Sequence, residues 1–201
     1  MITGSDTNGT VDDREKARQR HYGSRPMNSS PKPLVRPLAP GDLARVLELN
    51  EANVPAVGSL DAARLAAIIS ESPIALVVEV DETVVGFCLV LSADSTYDSV
   101  NFHWFSERYD DHMYLDRVAF DAEYQGQRLG TLVYAEVEQL LNSFDGVNRL
   151  TLEINVDPPN EQSLAFHSRR GFVEVGQQDT PYGIRVSMQQ RELPGANHPN
   201  A

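Results

Sequence analysis

The run from Tyr114 to Phe144, YLDRVAFDAEYQGQRLGTLVYAEVEQLLNSF, constrains the fold more than any other stretch, because it joins a strand, a glycine-containing turn and a helix with no residue to spare. Tyr114, Leu115, Val118, Ala119 and Phe120 read as a largely buried strand, and Asp121 to Tyr124 as a short polar connection. Beyond the turn, Leu129, Leu132, Val133, Val137, Leu140, Leu141 and Phe144 recur at spacings of three and four. Glu136, Glu138, Gln139 and Asn142 take the other face, so the helix is amphipathic. Within Gln125–Thr131, Gly126 and Gly130 keep side chains away, so consecutive backbone N–H groups at the positive end of the helix can meet an anion, phosphate above all. No Gly-Lys-Ser/Thr closes the turn as in a P-loop, and the glycines do not make a dinucleotide G-x-G-x-x-G. A pyrophosphate site without a metal-binding hydroxyl is left.

A second segment, Asn160-Glu-Gln-Ser-Leu-Ala-Phe-His-Ser-Arg-Arg-Gly-Phe172, follows in order. Together the two resemble the GNAT superfamily of acyl-CoA-dependent N-acetyltransferases over roughly residues 33 to 190. Gln125 and Gly130 match the ends of its Q/R-x-x-G-x-G/A motif, with Arg128 where the central glycine is usual. Asn160 through Gly171-Phe172 match the spacing of N-x-x-A-x-x-x-Y-x-x-x-G-F, with Ser163 for the alanine and His167 for the tyrosine.

The resemblance implies an α/β (α+β) three-layer fold. Its central sheet would be mixed, mostly antiparallel and of about seven strands, with two parallel strands splayed at the CoA site and helices on both faces. It implies acetyl transfer from acetyl-CoA (coenzyme A) to a primary amine. Val118, Ala119 and Phe120 would hold pantetheine and the thioester carbonyl; Gln125, Gly126, Gln127, Arg128, Leu129, Gly130 and Thr131 would hold the pyrophosphate; Asn160 and Ser163 would complete the cofactor site. Asp116 stands where several members carry an acid that deprotonates the amine, though with Arg117 beside it a plain ion pair is the competing reading. His167 stands where most members place the tyrosine that protonates the departing thiolate. An imidazolium of reference pKa about 6.5 could serve, with activity falling early on the alkaline side; the alternative is that His167 only packs there.

The remaining residues divide the chain of 201 into a tail, residues 1–32, a domain, residues 33–192, and a frayed end, residues 193–201. The tail carries six Lys/Arg against four acids and few large apolar residues, so it reads as disordered. With the whole at −12 and the tail at +2, the body stands at −14, which argues against nucleic-acid binding and suits a cationic ligand. Lone Cys88 sits in an apolar run and forms no intrachain disulfide, and neither a membrane span nor a signal core is present, so a cytoplasmic protein is expected.

Strands are expected at Leu34–Leu38, Ile74–Val80, Thr83–Leu91, Tyr114–Phe120, Asn148–Val156, Phe172–Val175 and Ile184–Met188. Helices are expected after a cap at Asp42, over Asp61–Ser70, after Gln125–Thr131, and over Asn160–Arg170. The long segment Ser92–His112 is the compositional outlier, rich in aromatics and acids. It reads as a loop: an acceptor site in which Trp104, Phe105 and Tyr109 stack on an ammonium, with Asn50 and Glu51 closing the far side, or else a lid or a homodimer contact. No metal is expected, since His103 and His112 lack a ligand spacing. The acceptor expected is a small cationic molecule, and a non-catalytic CoA-binding module of the same fold is the alternative.

Overall fold

A computed structural model of the protein describes residues 32–194. The expected tail therefore lies outside the described residues but for Lys32, as does the expected frayed end beyond Pro194. Leu193, assigned to that end, is instead buried and its N–H donates to the Asn148 carbonyl.

Seven strands form one sheet: β1 (Leu34–Pro37), β2 (Ile74–Val80), β3 (Thr83–Ser92), β4 (His112–Phe120), β5 (Arg149–Asp157), β6 (Val173–Asp179) and β7 (Arg185–Glu192). Their spatial order is β1-β2-β3-β4-β5-β7-β6, and every pairing is antiparallel except β4 with β5. The parallel pair touches only at His112–Tyr114 opposite Arg149–Thr151, and beyond Tyr114 the facing edges of the two strands separate. The splayed pair implied by the family resemblance is thus present.

The sheet is covered on both faces. On one, α4 (Leu129–Leu141) buries Leu129, Val133, Tyr134, Val137 and Leu141 against Leu76, Val78, Met113, Leu115 and Leu150. Beside it α5 (Glu161–Arg169) is closed by Phe172. On the other face α1 (Leu43–Ala52), α2 (Ala62–Glu71) and α3 (Val100–Ser106) bury Val46, Leu49, Leu65, Ile68, Phe102 and Phe105 over Val77, Phe87, Leu89 and Tyr114. Cys88 is fully buried among apolar neighbours, and burial pushes its thiol well up.

Two local expectations change. Asp42 does not cap α1: its carboxylate is taken by Arg36 and by the Ala39 N–H, and it belongs to a short 3-10 turn. The Ser92–His112 stretch is no open loop, since Ser99 caps the seven-residue α3 through the Asn101 and Phe102 N–H groups.

Opposite Leu89 and Val90, β4 carries one extra residue: Leu89 pairs with Arg117 and Val90 with Leu115, leaving Asp116 as a bulge. The bulge shifts the strand's alternation. Met113 and Leu115 face the α4 layer before it, and Val118 and Phe120 do so after it, while Tyr114 and Ala119 face the other layer.

Candidate functional site

The splay of β4 from β5 opens a cavity of about 600 Å³ that reaches both layers of the molecule. Leu115, Asp116, Arg117 and Val118 line it from β4, Leu152, Glu153 and Asn155 from β5, and Ser163 and His167 from α5. The α1–α2 connection, Tyr97 to Asn101 and the β6–β7 turn with Tyr182 complete the wall.

At the mouth of α4 the turn is built for an anion. Gly126 has φ +78° and Arg128, the residue before the helix, φ +62°, both left-handed. Such alternation turns successive N–H groups outward into a concave nest. Among the described residues none of the N–H groups from Gly126 to Gly130 has an acceptor, so five donors stand at the helix's positive end. This donor set fits a pyrophosphate. A Cβ on Gly126 would meet nothing within 4 Å, so that glycine is there for its backbone. On Gly130 a Cβ would come 3.2 Å from the Phe166 ring, so this glycine lets α4 pack against α5.

The acidic end of the cavity is charge-balanced except at one group. Arg117 donates through Nε to Asp116 Oδ2 (3.0 Å) and through Nη1 to Asn50 Oδ1 (2.8 Å) and the Gly58 carbonyl (2.6 Å). Asp98 pairs with Arg64. Burial raises the Asp116 carboxyl above its ordinary value against the pull of Arg117. Among the described residues Glu153 has no ion-pair partner. Burial, with Asp116 adding repulsion, pushes it up to about 7, although Tyr114 Oη donates to its Oε2 (2.5 Å) and Asn101 Nδ2 to its Oε1 (3.0 Å).

His167 is 4% exposed. Its Nδ1 lies 2.8 Å from the Ser163 carbonyl, which can only accept, so Nδ1 carries the proton and Nε2 accepts from Tyr134 Oη at 2.5 Å. Burial depresses the imidazole to about 4. Burial therefore favours a neutral ring tied at both nitrogens, an arrangement that suits the packing alternative for His167.

The other sequence-derived positions divide. Asn160 caps α5 by accepting from the Ser163 N–H, and with Ser163 and Val118 it lines the cavity. Ala119 is buried under α1, and the Phe120 carbonyl accepts from Asn53 Nδ2 (3.1 Å). Gln125, Gln127, Leu129 and Thr131 belong to the turn and first helical turn. Asn50 and Glu51 do not line the cavity: Asn50 is fully buried, and Glu51 fastens the wall loop through Ser59 Oγ and the Leu60 N–H.

Trp104, Phe105 and Tyr109 lie away from the cavity. Trp104 packs over Gly176 under the Arg108 guanidinium, Phe105 is core, and Tyr109 stacks on Arg149. The same segment supplies the site instead through Tyr97, Asp98 and Asn101, and with Glu153 and Tyr182 these are the residues missed in the sequence. Among the described residues no cluster of His, Cys, Asp or Glu could hold a metal ion, and no helix is long and apolar enough to cross a membrane.

Residues 44–172 match the family model described as the acetyltransferase (GNAT) family. No curated protein matches the sequence. Among solved structures the fold is shared with the ribosomal-protein alanine N-acetyltransferase of Escherichia coli, at TM-score 0.64 and 16% identity over 85% of this chain and 99% of that one. It is shared with the putative acetyltransferase yncA of Salmonella typhimurium with acetyl-CoA, at 0.63 and 20% over 85% and 99%. The aminoglycoside acetyltransferase AAC(6')-Ib in complex with coenzyme A matches at 0.62 and 22% over 80% and 95%.

Proposed function

From the premise that the chain belongs to the GNAT acetyltransferase family, we propose that it is an N-acetyltransferase moving an acetyl group from acetyl-CoA to the primary amine of a small cationic molecule. The observation that carries this is Glu153, a cation-free carboxylate raised to about 7 in the wall of the cavity where β4 and β5 part. A base of that strength can take a proton near neutral pH, as an ammonium must lose one before its nitrogen can attack.

Bound acetyl-CoA would supply the thioester whose acetyl carbon accepts the amine and whose sulfur leaves. The Gly126–Gly130 N–H groups would hold its pyrophosphate, and Val118, Asn160 and Ser163 its pantetheine arm. Glu153 takes the first amine proton into its carboxylate. The second, acidified once nitrogen bonds to the acetyl carbon, goes to the sulfur, so the balance closes without an imidazolium. Neutral His167 serves as a fixed wall of the pantetheine channel. Asp116, held by Arg117, keeps a negative field beside Glu153 that favours a cationic acceptor over an anionic one. The domain, taken as residues 33–192, would act in the cytoplasm.

Structural neighbours carry names of both a ribosomal-protein and an aminoglycoside acetyltransferase; the acidic groups Asp98, Asp116 and Glu153 in the wall of a cavity of about 600 Å³ favour the small cationic molecule here. The test is thiol release from acetyl-CoA across a panel of diamines, aminoglycosides and N-terminal peptides. Amine-dependent release that Glu153→Gln abolishes is expected; acetyl-CoA binding with no release for any amine would identify a non-catalytic CoA-binding module instead.

A further inference from the structure

Asn101, the second residue of α3, is 2% exposed and uses its whole amide on side chains of other elements. Nδ2 donates to Glu153 Oε1 on β5 (3.0 Å) and to Tyr182 Oη in the β6–β7 turn (3.3 Å), and Oδ1 accepts from Gln178 Nε2 on β6 (2.8 Å). An ionised carboxylate only accepts, so the amide nitrogen has to face Glu153 and the oxygen is left to Gln178. Two of the three partners, Glu153 and Tyr182, line the cavity.

We infer that Asn101 is a positioning residue for acetyl transfer, holding Glu153 in its anionic form and tying that carboxylate to the phenol at the acceptor mouth. The inference rests on the reading of Glu153 as the base. Four groups face that carboxylate: Tyr114 and Asp116 from β4, Asn101 from α3, and Tyr182 from the β6–β7 turn. Of the two side-chain donors among the described residues, Tyr114 serves Oε2 and Asn101 serves Oε1. Take it away and Oε1 loses its donor while Asp116 stays, so Glu153 keeps its proton to higher pH.

The measurement is kcat/KM against pH for the full chain, with acetyl-CoA saturating and the best amine from the panel. Wild type should show an acid limb centred near 7. Asn101→Ala should move that limb up by about one pH unit, the effect of one hydrogen bond to a charged group. Asn101→Asp, which keeps volume and shape and so protects the fold, should move it further by setting a second carboxylate against the first. Tyr182→Phe should leave the limb in place and raise acceptor KM. An unmoved limb in either folded Asn101 variant overturns the inference alone. A wild type lacking the limb, or full activity in Glu153→Gln, overturns the reading of Glu153 and the inference with it.

Discussion

At the start of α4, five N–H groups without a partner among the described residues lie in one short turn of chain, whereas the cavity below is walled by groups from several helices, strands and connections. The turn is local and made of backbone: its shape depends on Gly126, Arg128 and the helix that follows. The cavity is remote and made of side chains, and its chemistry depends on which groups end up without a counter-charge. Damage to the first should therefore appear as lost affinity for acetyl-CoA, and damage to the second as lost turnover.

Glu153→Gln should show the largest effect and the cleanest separation. Removing the base should lower kcat by about 10²- to 10⁴-fold and leave acetyl-CoA affinity unchanged by calorimetry. The same variant should gain stability at high pH. A carboxyl raised from 4.5 to about 7 binds its proton more tightly folded than unfolded, so wild-type stability falls as pH rises across that window and stays low above it. At pH 8 the glutamine variant should melt higher, by an amount on the order of 3 kcal/mol. Well below pH 4.5, where the carboxyl is protonated both folded and unfolded, this pH-dependent difference should vanish.

Gly126→Val is the converse lesion. A β-branched residue at φ +78° costs about 1–3 kcal/mol, and relief of that strain would turn the N–H groups away. Acetyl-CoA should bind about 10- to 100-fold more weakly, with kcat near normal at saturation; equal affinity in a folded variant would remove the turn from the cofactor site. Next in size is His167→Phe, which leaves Tyr134 Oη and the Ser163 carbonyl without their ring partner and should cost about 1–3 kcal/mol of stability. Its alkaline limb should match wild type, because a ring with a pKa of about 4 carries no proton to lose there. Arg128→Gly should relieve about 1 kcal/mol of left-handed strain while weakening acetyl-CoA binding only a few-fold, through loss of one exposed charge. Trp104→Ala should lower the melting temperature and leave acceptor KM alone, since that ring fills the space over Gly176. A raised KM would return the acceptor to the aromatic face of α3.

The same contrast explains what could be read before the structure. Period and turn residues are local signals, so all seven strands, the glycine turn and the helix from Asn160 were legible within a few residues. Glu153 was not. Between Leu152 and Ile154 it looks like the solvent-facing member of a half-buried strand, and that reading holds only if its face of the sheet is bare. The face is covered by α3, whose signs were present in Ser99 as cap and in Phe102 and Phe105 three apart. With that stretch taken for a loop, its aromatics seemed free to bind a ligand, and nothing marked the face of β5 that carries Glu153 as covered. The state of His167 was illegible for another reason, because residue type sets an imidazole's usual pKa and only packing moves it.

The extra residue in β4 has a consequence for changes of length. Upstream and downstream of Asp116 the strand runs in two different frames: Met113 and Leu115 point into the α4 layer on odd numbers, Val118 and Phe120 on even ones. A substitution in this strand perturbs one contact. Losing Asp116 itself would heal the bulge, because Leu115 and Arg117 already pair with adjacent residues of β3, and every facing would survive; losing a residue on either side of it would throw the rest of the strand onto the wrong layers. A deletion scan across 112–120 should therefore disrupt folding at every position but Asp116, where the shortened strand keeps its pairing with β3.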